Sequence, residues 1–217
     1  MSEITLNSLP KTLDELKAMP QAALTVPEEV AALTVAALAL YPENPAETEK
    51  MLDFLRGPRP LNGIDKQFIR DRFRGKEYLM RSYLVGSTPE NNYTPVQPYR
   101  VTVSENTYSR TQFVDGYLTL YVACSGADSP RPLKLRNKPS TGQWFLWEQY
   151  LLTGVLQKTC ESGNGGGDTV KKLLDTLYVL TPYSYLFSRN ETICVKIVDE
   201  EKVSVPASVS YTHLTLP

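Results

Sequence analysis

Residues 131–150, RPLKLRNKPSTGQWFLWEQY, constrain the fold more than any other stretch, because two strand patterns, a turn and both tryptophans fall within one short span. Leu133 and Leu135 alternate with Lys134 and Arg136, the period-two signature of a strand with one wet face. Asn137, Pro139, Ser140 and Gly142 carry turn chemistry, and residues 143–148 return as a second strand. In that return strand Trp144 and Leu146 point to one side, Phe145 and Trp147 to the other. Both faces therefore require cover, which predicts an interior strand. Each large apolar side chain fully buried contributes roughly 1.5–3 kcal/mol, so the hairpin is the largest local contribution to the core.

A sheet built on this hairpin needs a second layer, and the first third of the chain supplies helical patterns for one. Thr12 and Glu15 have capping-box spacing and predict a short helix within residues 9–19. Thr25 and Glu28 repeat the spacing around Pro27, predicting a helix over residues 26–41. Residues 30–41 carry no charge, but a membrane span needs about 20 apolar residues, so this helix is expected to be buried in protein on more than one side. Asn44, Pro45 and Glu47 open a third helix that ends near Arg56, before Gly57 and Pro58. A fourth, over residues 64–73, sets Ile64, Phe68, Ile69 and Phe73 on one stripe.

Beyond Gly75 the period becomes two. Residues 77–85, 99–104 and 117–124 are predicted strands rich in Tyr, Val, Leu and Thr. Residues 86–98, GSTPENNYTPVQP, form a proline-rich loop, and Asp115-Gly116 and residues 126–130 mark turns. Helices first and a meander afterwards make an α+β fold, with N-terminal helices packed on a mainly antiparallel β-sheet. Residues 1–158 are expected to form this domain, with helices within 12–74 and the sheet within 77–150. Residues 159–168 read as a Gly-rich linker. Residues 169–208 read as a small appendage or a truncated second domain, with a helix to about Leu180 and strands near 192–198 and 202–205.

The last residues, 209–217 (VSYTHLTLP), resemble a conceptual translation of a transposon-based sequencing-library adapter, codon for codon. The expectation is that the natural protein is interrupted at about Ser208. His213, the only histidine, lies in that tail, which leaves no histidine for a Ser-His-Asp or Cys-His arrangement. Cys124, Cys160 and Cys194 are far apart without CxxC spacing, so neither a disulfide scaffold nor a zinc site is expected. The net charge of −1 gives no global bias toward nucleic acid or anionic membrane. The first residues, MSEITLNSLPKTLDELK, lack a basic start followed by an apolar run, so a cytoplasmic protein is expected.

Candidate sites must then come from local clusters. Arg56, Arg59, Lys66, Arg70, Arg72, Arg74 and Lys76 surround the fourth helix, and Arg131, Lys134, Arg136 and Lys138 line the hairpin. Brought together they would attract an anion, although Asp53, Asp65, Asp71 and Glu77 are interspersed in the first group. Tyr78, Tyr83, Tyr93, Tyr99, Tyr108, Tyr117 and Tyr121 either line a groove beside the 86–98 loop or serve as sheet core. Residues 163–168 mimic a phosphate cradle, but no strand precedes them and no Lys-Ser/Thr pair follows, so linker is the better reading. Glu148 with Glu105 or Asp128 could supply two carboxylates for acid–base chemistry, but no spacing joins them, and Glu148 is better read as the polar end of a strand or a partner for Arg131 or Arg136. The preferred reading is a binding or interaction domain without catalytic residues, cofactor or metal. Its surface comprises Asn91, Asn92 and Tyr93 of the loop with Arg131, Lys134 and Arg136 of the hairpin, and its partner is a protein rather than a membrane or nucleic acid.

The strings PRPLNGIDKQFIRDRF (58–73), STPENNYTP (87–95) and SGADSPRPLKLRNKPSTGQWFLWEQYLL (125–152) resemble an uncharacterised bacterial family, domain of unknown function family 6935. The resemblance spans about residues 9–158. It implies a small bacterial domain and transfers no catalytic residue.

Overall fold

The uncharged run after Pro27 folds as predicted into a helix surrounded by protein, and the rest of the domain is laid around it. The computed structural model describes residues 1–155, 196–199 and 202–204. The chain divides into two units, Met1–Lys158 and Thr159–Pro217. In the first, the order is β1 (Ser2–Leu6), α1 (Leu13–Ala18), α2 (Pro27–Ala39), α3 (Pro45–Arg56), α4 (Gly63–Phe73), β2 (Tyr99–Ser104), β3 (Tyr117–Val122), β4 (Arg131–Lys138) and β5 (Gln143–Gln149). In the second, β6 (Lys196–Asp199) and β7 (Lys202–Ser204) pair antiparallel. The linker, cradle and helix expected within 159–180, and the tail 209–217, lie outside the described residues.

The fold is α+β, a five-stranded antiparallel meander in the order β1-β2-β3-β4-β5 with helices against one face. Residues Val30 to Leu38 of α2 are all buried, and the helix touches β1, β2, β3 and β5 on one side and α3 on another. Alternation explains the two faces of the sheet. Val101, Val103, Leu118, Leu120, Val122, Leu133, Leu135, Trp144 and Leu146 point into the core. Thr119, Tyr121, Lys134 and Arg136 point the other way, half-buried or exposed.

Several local expectations are corrected. The strand β5 is the sheet's edge, not its interior. Its free side is closed instead by the segment before α2, where the Trp144 amide donates to the Leu24 carbonyl at 2.7 Å and the Gln143 side chain to Ala23 at 3.4 Å. That is one of the ways an edge is protected from pairing with another chain. Residues 77–85 form a 3₁₀ helix over Leu79–Tyr83 rather than a strand, with a single bridge from Leu84 to Val101. Leu79, Met80, Tyr83 and Leu84 are all buried, so the apolar spacing here is three to four residues, not two. The first strand, β1, was not anticipated, although Ile4 and Leu6 alternate with exposed Glu3 and Thr5. The cap of α2 is Val26 with no side-chain bond, so Thr25 and Glu28 form no capping box. Thr12 caps α1 through the Glu15 amide, but Glu15 accepts from Lys11 rather than from Thr12. The fourth helix starts at Gly63, one residue before its stripe, with a capping box between Asn62 and Asp65. Ile69 and Phe73 of that stripe are buried, whereas Ile64 is 80% exposed and Phe68 37%.

Candidate functional site

The outer face of β3, β4 and β5 carries aromatic rings among cations. Tyr117 pairs with Arg136 across β3–β4, and Arg136 with Phe145 across β4–β5. The register slips between Lys134 and Leu135, so that Leu135 faces Leu146 while Lys134 faces Glu148. Trp147 is thus the extra residue of a bulge, the kind of irregularity that re-aims a side chain at a strand edge. Its ring meets Tyr117 edge-on at 5.5 Å. The Arg59 guanidinium lies 4.5 Å from the Trp147 ring centre and the Arg136 guanidinium 4.9 Å. Over Tyr117 stand the Lys134 ammonium at 4.7 Å and the Arg136 guanidinium at 5.4 Å. An aromatic face attracts a cation by its quadrupole without neutralising its charge. Arg59, Lys134 and Arg136 form no ion pair with a carboxylate among the described residues.

Phe145, the other outward aromatic of β5, rests on Gly57 at the end of α3. That contact carries the α3–α4 connection past the sheet edge and delivers Arg59 to Trp147. Arg56, counted in the same basic group, is instead 7% exposed. It donates to Asp65 at 3.2 Å and to the Arg59 carbonyl at 2.9 Å. Burial pushes its pKa down and Asp65 pushes it back up. Lys66 pairs with Glu49 and Arg72 covers Phe68, so these two charges are held on the helices. The fold therefore joins the two basic groups through Arg59 and Arg136, not along their length.

Beside this face, between α3, α4 and β5, is a cleft of about 190 Å³. Leu52, Leu61, Ile69 and Leu146 supply apolar lining, and Phe68, Trp147 and Tyr150 aromatic lining. Arg56, Arg59, Asp65 and Glu148 are its charged groups. Asp65 also accepts from the Asn62 amide, and Glu148 accepts from the Tyr150 hydroxyl at 3.1 Å. That bond raises the Tyr150 pKa. Glu148 thus has a tyrosine partner, in place of the arginine expected. Glu105 is elsewhere, in a two-bond pair with Arg110 at 2.6 and 2.9 Å that lowers its pKa, and Asp128 is exposed and outside the cleft.

The loop residues lie differently from a free contact surface. Asn91 ties the loop to itself: its amide nitrogen donates to Gly86 at 2.7 Å, and its oxygen accepts from Thr88 at 2.9 Å and Thr94 at 3.2 Å. Asn92 and Tyr93 follow in left-handed backbone, φ 56° and 50°. Tyr93 is 0% exposed and stacks on Tyr78 at 5.2 Å. Its hydroxyl packs on Gly126, which also meets Val155. Arg131 donates to Gly154, separate from the Lys134 and Arg136 contacts with Tyr117. The seven tyrosines do not share one groove: Tyr78, Tyr83 and Tyr93 are core and Tyr108 is 71% exposed. Sequence reasoning named Arg59 and Arg136 in the two basic groups but missed their meeting over Trp147, and it missed the bulge there. The two-sided apolar pattern of β5 was the available signal for both.

The family model described as Domain of unknown function (DUF6935) matches residues 8–159. The chain belongs to this family. No curated protein and no solved structure matches this DUF6935 chain. Among the described residues no helix is long and apolar enough to cross a membrane, and no cluster of three His, Cys, Asp or Glu side chains could hold a metal.

Proposed function

We propose that the domain is a bacterial, cytoplasmic binding module without catalytic activity, and that its recognition surface for an anionic partner is the outer face of β3–β5. One observation carries this reading: Arg59 and Arg136 flank Trp147, Lys134 stands over Tyr117, and none of the three pairs with a carboxylate among the described residues. Cations held on aromatic rings are pre-oriented, so a carboxylate or phosphate partner gains their charge at reduced entropic cost. The cytoplasmic placement rests on Cys124, which forms no disulfide among the described residues, as suits a reducing compartment. Of the residues expected to bind, this reading keeps Lys134 and Arg136; it leaves out Asn91, Asn92, Tyr93 and Arg131, since Asn91 and Arg131 bond to loop backbone and Tyr93 is buried.

The test is binding of poly-L-glutamate, followed by calorimetry at low and high salt. The expected result is affinity that falls as exposed charges are screened over the Debye length, about 10 Å at 0.1 M and 3 Å at 1 M. In the variant Arg59→Gln/Arg136→Gln that salt-sensitive binding should be lost. Unchanged binding by the variant would sink the reading.

A carboxylate-dependent hydrolase or transferase is the second reading, favoured by the presence of Asp65 and Glu148 in one cleft. Against it, Asp65 is engaged by Arg56 and the Asn62 amide, and Glu148 by Tyr150. Hydrolysis of any ester or glycoside panel substrate by the wild type, abolished in Glu148→Gln, would select it.

A further inference from the structure

The cleft between α3, α4 and β5 is not absorbed by the charge of the outer face, yet the two share residues. Arg59 and Trp147 belong both to the cation–aromatic array and to the cleft wall. Its volume, about 190 Å³, is well below the roughly 300–1,000 Å³ of pockets that take cofactors or drug-sized ligands. Leu52, Ile69 and Leu146 bring core side chains to it, while Phe68 and Tyr150 remain 37% and 50% exposed. An opening of this size with an apolar lining and aromatic walls suits one large side chain, the way interface anchors are received. Its own acids are engaged, by Arg56 and by Tyr150, whereas Arg59 and Arg136 at its shared edge have no carboxylate partner among the described residues.

We infer that the cleft receives a single aromatic or aliphatic anchor residue from an acidic peptide segment of a partner protein, whose carboxylates engage Arg59 and Arg136. This rests on the proposed anion-binding reading and adds the partner's class, a peptide rather than a nucleic acid or small anion. Charge complementarity at the shared edge is the argument for that occupant. Glu148 faces the same cleft and opposes an acid placed against it, so of the acids flanking the anchor only those on the Arg59 side contribute to binding.

The experiment is a nitrogen-15 NMR titration of the full chain, read at the two indole N–H signals. Trp147 lines the cleft, and Trp144, on the core face of the same strand, is the internal control. The probes are acetyl-Gly-Glu-Glu-Phe-Glu-Glu-Gly-amide, its Phe-to-Ala counterpart and its Glu-to-Gln counterpart. The expected result is a shift of the Trp147 signal without Trp144, and binding of the Phe peptide about tenfold tighter than the Ala peptide, the ratio set by burying one anchor. Filling the cleft with Leu61→Trp should erase that ratio while leaving the Ala peptide bound. Since this variant adds an indole and strains its surroundings, Phe68→Ala, at an exposed wall, is the second probe and should narrow the same ratio. Equal binding of Phe and Ala peptides by the wild type overturns the cleft inference and leaves the anionic surface standing. Equal binding of the Glu and Gln forms of the Phe peptide overturns the anionic reading and the acidic character of the segment while leaving an apolar cleft. Binding of none overturns both, and displacement of the peptide by a single-stranded oligonucleotide at Trp147 assigns the face to nucleic acid instead.

Discussion

Gly57 shows how one residue joins the helical layer to the candidate site. Its backbone has φ +57°, and a Cβ built there would fall within the ring of Phe145. Gly142, in the β4–β5 turn, has a similar φ of +66° but open space around it. Replacing Gly142 by Ala should therefore cost only the left-handed strain, about 1–2 kcal/mol. The Gly57→Ala replacement should cost about 1–3 kcal/mol more, because its ψ of −112° lies outside the left-handed region and the new methyl meets Phe145, as read by urea denaturation of both variants. Equal losses would mean that Phe145 moves freely and does not hold the α3–α4 connection. Tyr93 offers a pH test. Burial, followed by the nearby Tyr78, pushes its pKa from 10.0 up to about 12. A raised pKa in the folded state means that the contribution of Tyr93 is complete below pH 10 and is lost as pH rises through about 12. Stability should thus fall across that window, and less steeply in Tyr93→Phe; parallel slopes in the two proteins would contradict its burial. At this scale the sequence was readable where chemistry is local: Asn44 caps α3 as its spacing with Glu47 required. It was unreadable for Arg56, because whether an arginine is buried depends on where Asp65 arrives from the next helix.

At the scale of elements, the helices differ in how far their pattern decided their environment. The second helix is apolar all round, and an all-round apolar helix must be enclosed. Truncating Leu33, 0% exposed in its middle, should lower stability by about 2–5 kcal/mol. The fourth helix has a clean stripe, yet Ile64→Ala should change stability by no more than about 0.5 kcal/mol, because Ile64 stands 80% exposed at the helix's first turn. The pair is measured in one chemical denaturation series, and a large loss at Ile64 would show that a partner covers it in solution. A periodic pattern says which residues share a face. It does not say how far along the helix the neighbour extends, which is why Ile69 and Phe73 are core, Phe68 stands half-exposed in the cleft wall and Ile64 is exposed. The strand misread at 77–85 has the same origin, since a short apolar run is compatible with either period until a neighbour selects one.

Within the first unit the helices cover one face of the sheet, and on the other face Arg59, Lys134 and Arg136 gather around Tyr117 and Trp147 at the β4–β5 end. The division at Lys158 predicts that a chain ending there unfolds in a single transition, with circular dichroism at far- and near-ultraviolet wavelengths giving coincident midpoints. Separate midpoints would mean that residues 159–217 contribute to the core of the first unit. Composition and periodicity sufficed for the α+β class, the enclosed second helix, the hairpin with Trp144 and Leu146 on one side and Phe145 and Trp147 on the other, and the third helix's cap, because each follows from interactions within a few residues of chain. The edge position of β5, the closure of that edge by Leu24, the meeting of Arg59 with Arg136 over Trp147, and the cleft beside them arose from packing between segments distant in the chain. Those contacts depend on which surfaces meet when apolar faces are buried together, and no local pattern carries that information.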